Sequence, residues 1–149
     1  LALIGWLALT FCASATAAFV KTGGWYAELA KPAWNPPGWV FPPVWTILYA
    51  LIGLSGWLIW KSAGFAGARA AMVFYFLQLG LNALWSYLFF GLHLPGVAFG
   101  EILLLWGAIL ITTILFWTIR PAAGALLLPY LAWVAFAAVL NGAIWRLNS

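Results

Sequence analysis

The chain has 149 residues, 67% of them hydrophobic and 5% charged, with a formal net charge of +4. A water-soluble domain of this size would lack a polar skin, so the composition excludes one and points to an integral membrane protein. One cysteine, one histidine and two carboxylates cannot assemble the usual metal sites or nucleophilic triads.

Charged residues divide the chain into uncharged stretches at 1–20, 32–60, 70–100, 102–119 and 121–145. About 20 apolar residues cross the hydrocarbon core, and the two longest stretches are trimmed by a proline-rich segment and by the break Gly91-Leu92-His93-Leu94-Pro95-Gly96. The expectation is an all-α, five-transmembrane-helix bundle forming a single domain over 1–149. Its helices are placed near 2–20, 43–60, 70–90, 97–118 and 126–146, with one sizeable loop over 21–42. A β-barrel needs alternating apolar and polar residues, whereas EILLLWGAILITTILFW is continuously apolar.

The first segment has the length of a signal peptide but no basic beginning, and it is read as a retained helix, with a short stretch expected before Leu1. The loop after it crowds prolines and tryptophans into KPAWNPPGWVFPPVW. Five spans place Lys61, Arg69 and Arg120 on one side and Lys21, Lys31 and Arg146 on the other, so the positive-inside count is a tie. Charge spread over both surfaces makes neither a nucleic-acid patch nor a strong anionic-lipid patch.

Three helices gather aromatic residues with polar or small ones on one face. In the second, Trp45, Tyr49, Ile52 and Gly56 follow a spacing of four, three and four. The third repeats it with Gln78, Asn82, Trp85 and Phe89, and the fifth aligns Trp133, Ala137 and Asn141. Interhelical glue and the lining of a pocket for a flat, largely apolar ligand both produce such stripes. Trp85, Trp106 and Trp133 lie deep, where an indole N–H needs a partner, while most other tryptophans fall at the interfaces.

Polar residues elsewhere receive plainer expectations. Glu101, one turn into the fourth span, is taken as an interfacial carboxylate anchoring the helix end. Ser55, Thr112 and Thr113 are expected to bond to carbonyls of their own helices. His93 is read as a loop residue, and Cys12 as a small buried hydrophobe.

Three segments in order, WYAELAKPAWNPPGWVFPPVWTILYALIGLSGW, LQLGLNALWSYLFFGLH and LPYLAWVAFAAVLNGAIWRLN, resemble the translocator protein family. Its members are also called tryptophan-rich sensory proteins or peripheral-type benzodiazepine receptors. The resemblance implies a multi-pass membrane protein, often a homodimer, in a bacterial membrane or, in a eukaryote, the mitochondrial outer membrane. It implies binding of porphyrins such as protoporphyrin IX or haem-related tetrapyrroles inside the bundle, and in animal members cholesterol and benzodiazepine-site drugs. No cofactor is required and no catalytic residue is assigned.

By motif, the family's ligand-facing positions fall on Phe41, Val44, Trp45, Tyr49, Asn82, Trp85, Leu104, Trp133, Ala137, Leu140 and Asn141. The cap over the pocket falls on Trp34, Pro36, Pro37, Trp39, Pro42 and Pro43, prolines holding a loop that lacks regular hydrogen bonding. Gly142 stands where the animal sterol pattern has a tyrosine, which argues against sterol and for a tetrapyrrole. Val73 and Leu77 stand where some relatives carry small residues for dimer packing. Alternatives to a receptor or transporter are a light- and oxygen-dependent porphyrin breakdown assisted by pocket tryptophans, and a regulatory membrane partner.

Overall fold

A computed structural model describes residues 2–18, 29–35 and 40–148, without the side chains of 12–18, 41, 42, 90 and 91. Among the described residues all regular structure is helical. The elements are α1 (Ala2–Ala18), α2 (Phe41–Gly67), α3 (Arg69–Ser86) prolonged by a π-helical turn (Tyr87–Gly91), α4 (Pro95–Ile119), α5 (Pro121–Leu126) and α6 (Leu128–Leu147). Four stretches are long and apolar enough to cross a membrane: Pro43–Gly67, Arg69–Phe89, Pro95–Ile119 and Pro121–Leu147. This is a multi-pass integral membrane protein.

Prolines open α2, α4, α5 and α6 at their first or second positions, where the missing N–H costs no intrahelical bond. Two stretches expected as loops are largely helical. Lys61 does not end α2, because its ammonium lies 5.0 Å above the Trp57 ring one turn back, so the charge is accommodated on the helix surface. The break comes instead at Gly64, whose φ of 68° and ψ of 179° belong to a region open essentially only to glycine. After Arg120, extended at φ −150° as the residue before a proline must be, α5 forms where a connection over 120–125 was expected.

In the bundle, α4 packs along α3 on one side and along α5 and α6 on another, and α1 lies against α2 and α3. Close approach is purchased with small residues. At Gly56 a Cβ would fall 2.7 Å from the Tyr75 ring and 2.9 Å from Trp6, so only glycine lets these rings reach α2. The Tyr75 hydroxyl then donates to the Ile52 carbonyl at 3.0 Å, tying α3 to α2.

Thr112 and Thr113 bond to carbonyls four residues back in their own helix, at 2.7 Å each. Ser55 differs from expectation: its hydroxyl donates across to the Ala123 carbonyl of α5 at 2.9 Å. The bond is possible because α5 is a helical turn packed against α2, which brings its carbonyl within reach.

Candidate functional site

The stripes on α2, α3 and α6 converge. The Tyr49 hydroxyl donates to Asn82 Oδ1 at 2.6 Å, Asn82 Nδ2 donates to the Tyr130 hydroxyl at 2.8 Å, and that hydroxyl donates to Gln78 Oε1 at 2.8 Å. All four residues are buried, and every donation runs in the same sense along the chain. With hydrocarbon on the outside, such bonds fix which helix faces meet. The sequence reading left out Tyr130, although its distance of three residues from Trp133 and seven from Ala137 puts it on the same stripe of α6.

A second link joins α3, α6 and the start of α4. The Trp85 indole donates to Asn141 Oδ1 at 2.9 Å, and Asn141 Nδ2 donates to the Pro95 carbonyl at 2.8 Å. Pro95 opens α4, so one asparagine registers three elements. The indole of Trp106 likewise finds a partner, the Leu131 carbonyl at 3.1 Å.

Over the polar chain lies a layer of rings. Trp45 stacks on Tyr49 at 5.6 Å and meets Tyr130 and Trp133 edge-on, both at 6.5 Å. Trp133 leans on Phe136 at 5.3 Å, and Phe136 takes the edge of Trp34 at 5.8 Å. Phe136 was absent from the sequence expectation because it sits one residue off the stripe. Trp34 belongs to the described part of the first loop, which is also tied to the end of α6: the Ala30 N–H donates to Asn148 Oδ1 at 3.0 Å and Asn148 Nδ2 donates to the Ala30 carbonyl at 2.8 Å.

The expected ligand-facing residues therefore divide. Tyr49, Asn82, Trp85, Ala137, Leu140 and Asn141 are buried in the bundle, and Val44, Trp45 and Trp133 are half-buried at its rim. Leu104 departs from its expected place: it is 68% exposed on the outer side of α4, whose inward face carries Ala98, Glu101, Ile102 and Leu105. Of the cap, Trp34 is ordered against Phe136 and Pro43 is exposed at the start of α2, while Pro36, Pro37 and Trp39 and the side chains of Phe41 and Pro42 lie outside the described residues.

Glu101 is also not the interfacial anchor that was expected. It is 7% exposed, and neither carboxylate oxygen has a hydrogen-bond partner. Gln78 Nε2, at the end of the donation chain, is buried without one as well. Polar groups so placed inside a membrane bundle are costly and therefore uncommon. Among the described residues no cluster of His, Cys, Asp or Glu could hold a metal ion.

The TspO/MBR family pattern matches residues 2–146, all of the described helices except Leu147 at the end of α6. The chain belongs to the TspO/MBR family. It is 44% identical to the tryptophan-rich protein TspO of Archaeoglobus fulgidus over 144 residues, covering 96% of this chain and 92% of that protein. It is 44% identical to the human translocator protein over 126 residues, covering 83% and 75% of the two chains. The tryptophan-rich sensory protein of Cereibacter sphaeroides is 39% identical over 147 residues, covering 95% and 91%.

Within this TspO/MBR chain, Gly142 has a packing role. A Cβ there would meet the Phe99 ring at 2.8 Å, and Phe99 stacks on Trp145 at 5.9 Å.

Proposed function

We propose that this protein is a tetrapyrrole-binding receptor or transporter-like protein, that its ligand enters between the first loop and the ring layer of Trp45, Trp133 and Phe136, and that α1 completes a bundle of five membrane spans. The observation that carries this reading is the layering itself. Flat apolar rings rest on a buried Tyr49–Asn82–Tyr130–Gln78 chain that holds three helices in one register. A porphyrin is a flat aromatic of matching character, and stacked or edge-on indoles recognise such a surface while a few polar atoms orient it. The names of the relatives, translocator and tryptophan-rich sensory protein, support a receptor or transport role rather than an assigned catalytic one.

The cap supports the same reading. Its described segment contacts the bundle through a reciprocal pair of bonds to Asn148 and through the Trp34 ring on Phe136, contacts that ligand entry past the loop would have to break.

Tryptophan-fluorescence titration of the purified protein with protoporphyrin IX, a haem and a sterol tests the proposal. The expected order is protoporphyrin IX and haem together ahead of the sterol. A sterol that binds more tightly than either tetrapyrrole overturns it. The titration run in the dark and under illumination separates binding from breakdown, because only breakdown consumes porphyrin with time.

A further inference from the structure

At the far end of the bundle from the cap, a groove of about 440 Å³ is lined by Phe65, Ala66, Arg69, Met72, Val73 and Phe76. Phe65 and Ala66 follow the break at Gly64, between it and the start of α3 at Arg69. Phe65 stacks on Phe76 at 6.4 Å, and Trp6 of α1 stacks on Phe76 at 6.1 Å. Met72 is buried behind them, whereas Val73 and Phe76 are exposed on the outer side of α3.

The charge at this end is of one sign. Segments 57–76 and 112–128 contain Lys61, Arg69 and Arg120 and no Asp or Glu. Two of these cations are engaged, Lys61 over the Trp57 ring and Arg120 Nη1 with the Ser62 hydroxyl at 3.2 Å. Arg69 is the cation of the groove itself. It is exposed at the first position of α3, where the unbonded amides and the helix dipole add to its attraction for an anion.

We propose that this groove is a binding site for an anionic phospholipid, its headgroup phosphate on Arg69 and an acyl chain laid along Val73 and Phe76. Apolar walls opening on the lipid face, with one guanidinium at the helix end, match a molecule that is charged at headgroup depth and apolar beneath it. A soluble anion would gain nothing from the walls, and a zwitterionic lipid would gain less from the cation. The site is separate from the ring layer under the cap, so the proposal stands whether or not a porphyrin binds there.

Native mass spectrometry and thermal unfolding of the detergent-purified protein test it, with short-chain phosphatidylglycerol, phosphatidylcholine of equal chain length and inorganic phosphate as probes. The parent is expected to bind phosphatidylglycerol at least fivefold more tightly than phosphatidylcholine and to show no shift with phosphate alone. Arg69→Gln, a surface change that leaves the backbone untouched, should abolish the preference, and Val73→Trp, which fills the groove and keeps the charge, should weaken both lipids. An unaltered preference in Arg69→Gln overturns the proposal, as does inorganic phosphate that stabilises as well as the lipid. So does a parent that binds neither lipid and whose dimer Val73→Trp converts to monomer, because the groove would then be an interface between copies of this chain.

Discussion

Both ends of this bundle are rich in aromatic rings, yet they use them differently. Around Trp6, rings pack on rings: Tyr75 meets Trp6 edge-on at 5.6 Å and Phe116 in a stack at 5.6 Å, with glycine clearance at α2 and one hydroxyl bonded to a backbone carbonyl. Around Trp45, rings lie over a buried chain of side-chain hydrogen bonds that joins three helices. Ring density alone therefore does not mark a binding site. What separates the ends is whether the rings cover polar atoms or only each other.

Breaking the packed end should have the largest effect. Gly56→Val drives a branched side chain into Tyr75 and Trp6 and is expected to destabilise the bundle by about 3 kcal/mol, the upper part of the usual overpacking range. Thermal unfolding in detergent measures this, and porphyrin affinity of the fraction that stays folded should match the parent. A loss of affinity in that fraction would mean that the two ends are coupled.

Next in size is Asn82→Leu, which removes two links of the polar chain and leaves the Tyr49 and Tyr130 hydroxyls buried without this partner. The expected loss is about 2 kcal/mol, because stranding a buried polar group costs more than the bond was worth. Adding Tyr49→Phe to Asn82→Leu should recover part of that stability, since it removes the hydroxyl that lost its acceptor, while Tyr130 keeps its bond to Gln78 Oε1. A double variant less stable than Asn82→Leu alone would show that the Tyr49 hydroxyl contributes through other contacts.

These contrasts also explain what could be read in advance. Hydropathy and charge spacing reveal helices and their faces, because hydrocarbon forces backbone bonds inside each segment and polar side chains inward. The Gln78, Asn82 and Trp85 face was legible for this reason. Charge does not mark the end of a helix, however, so the continuation of α2 past Lys61 was hidden, and so was the helical turn of α5 after Arg120. Which polar groups pair depends on helix rotation and neighbours: Ser55 reaching α5, and Glu101 facing inward with no partner, follow from packing that one-dimensional periodicity does not contain.

A smaller effect is expected from Trp133→Phe. The replacement keeps a ring against Trp45 and Phe136, so unfolding should shift by less than about 1 kcal/mol, while the indole N–H and its extra ring area are lost to the ligand. Porphyrin binding should weaken by about 0.5–1.5 kcal/mol, the worth of one hydrogen bond, or roughly two- to twelvefold in Kd. Fluorescence titration reads the difference. An unchanged Kd would place the ligand away from the ring layer.

The smallest effect is the most discriminating, because at Leu104 the family resemblance and the geometry disagree. The resemblance makes this residue ligand-facing, whereas its side chain is 68% exposed on the outer side of α4 and the inward stripe of that helix runs through Glu101, Ile102 and Leu105. A ligand held under the cap, between α2, α3 and α6, has no route to Leu104 without a turn of α4 about its axis. That rotation would pull the fully buried Ala98 and Ile109 out of the bundle, and it would carry Pro95 away from the Asn141 amide that bonds its carbonyl at 2.8 Å. Leu104→Ala is therefore expected to leave porphyrin Kd within about twofold of the parent, a difference of about 0.4 kcal/mol, and to change stability little, since truncating a lipid-facing leucine opens no cavity. A fall of tenfold or more would mean that the ligand lies on the outside of α4 or between two copies of the chain. In that case the rings around Trp45 would be packing of the same kind as those around Trp6.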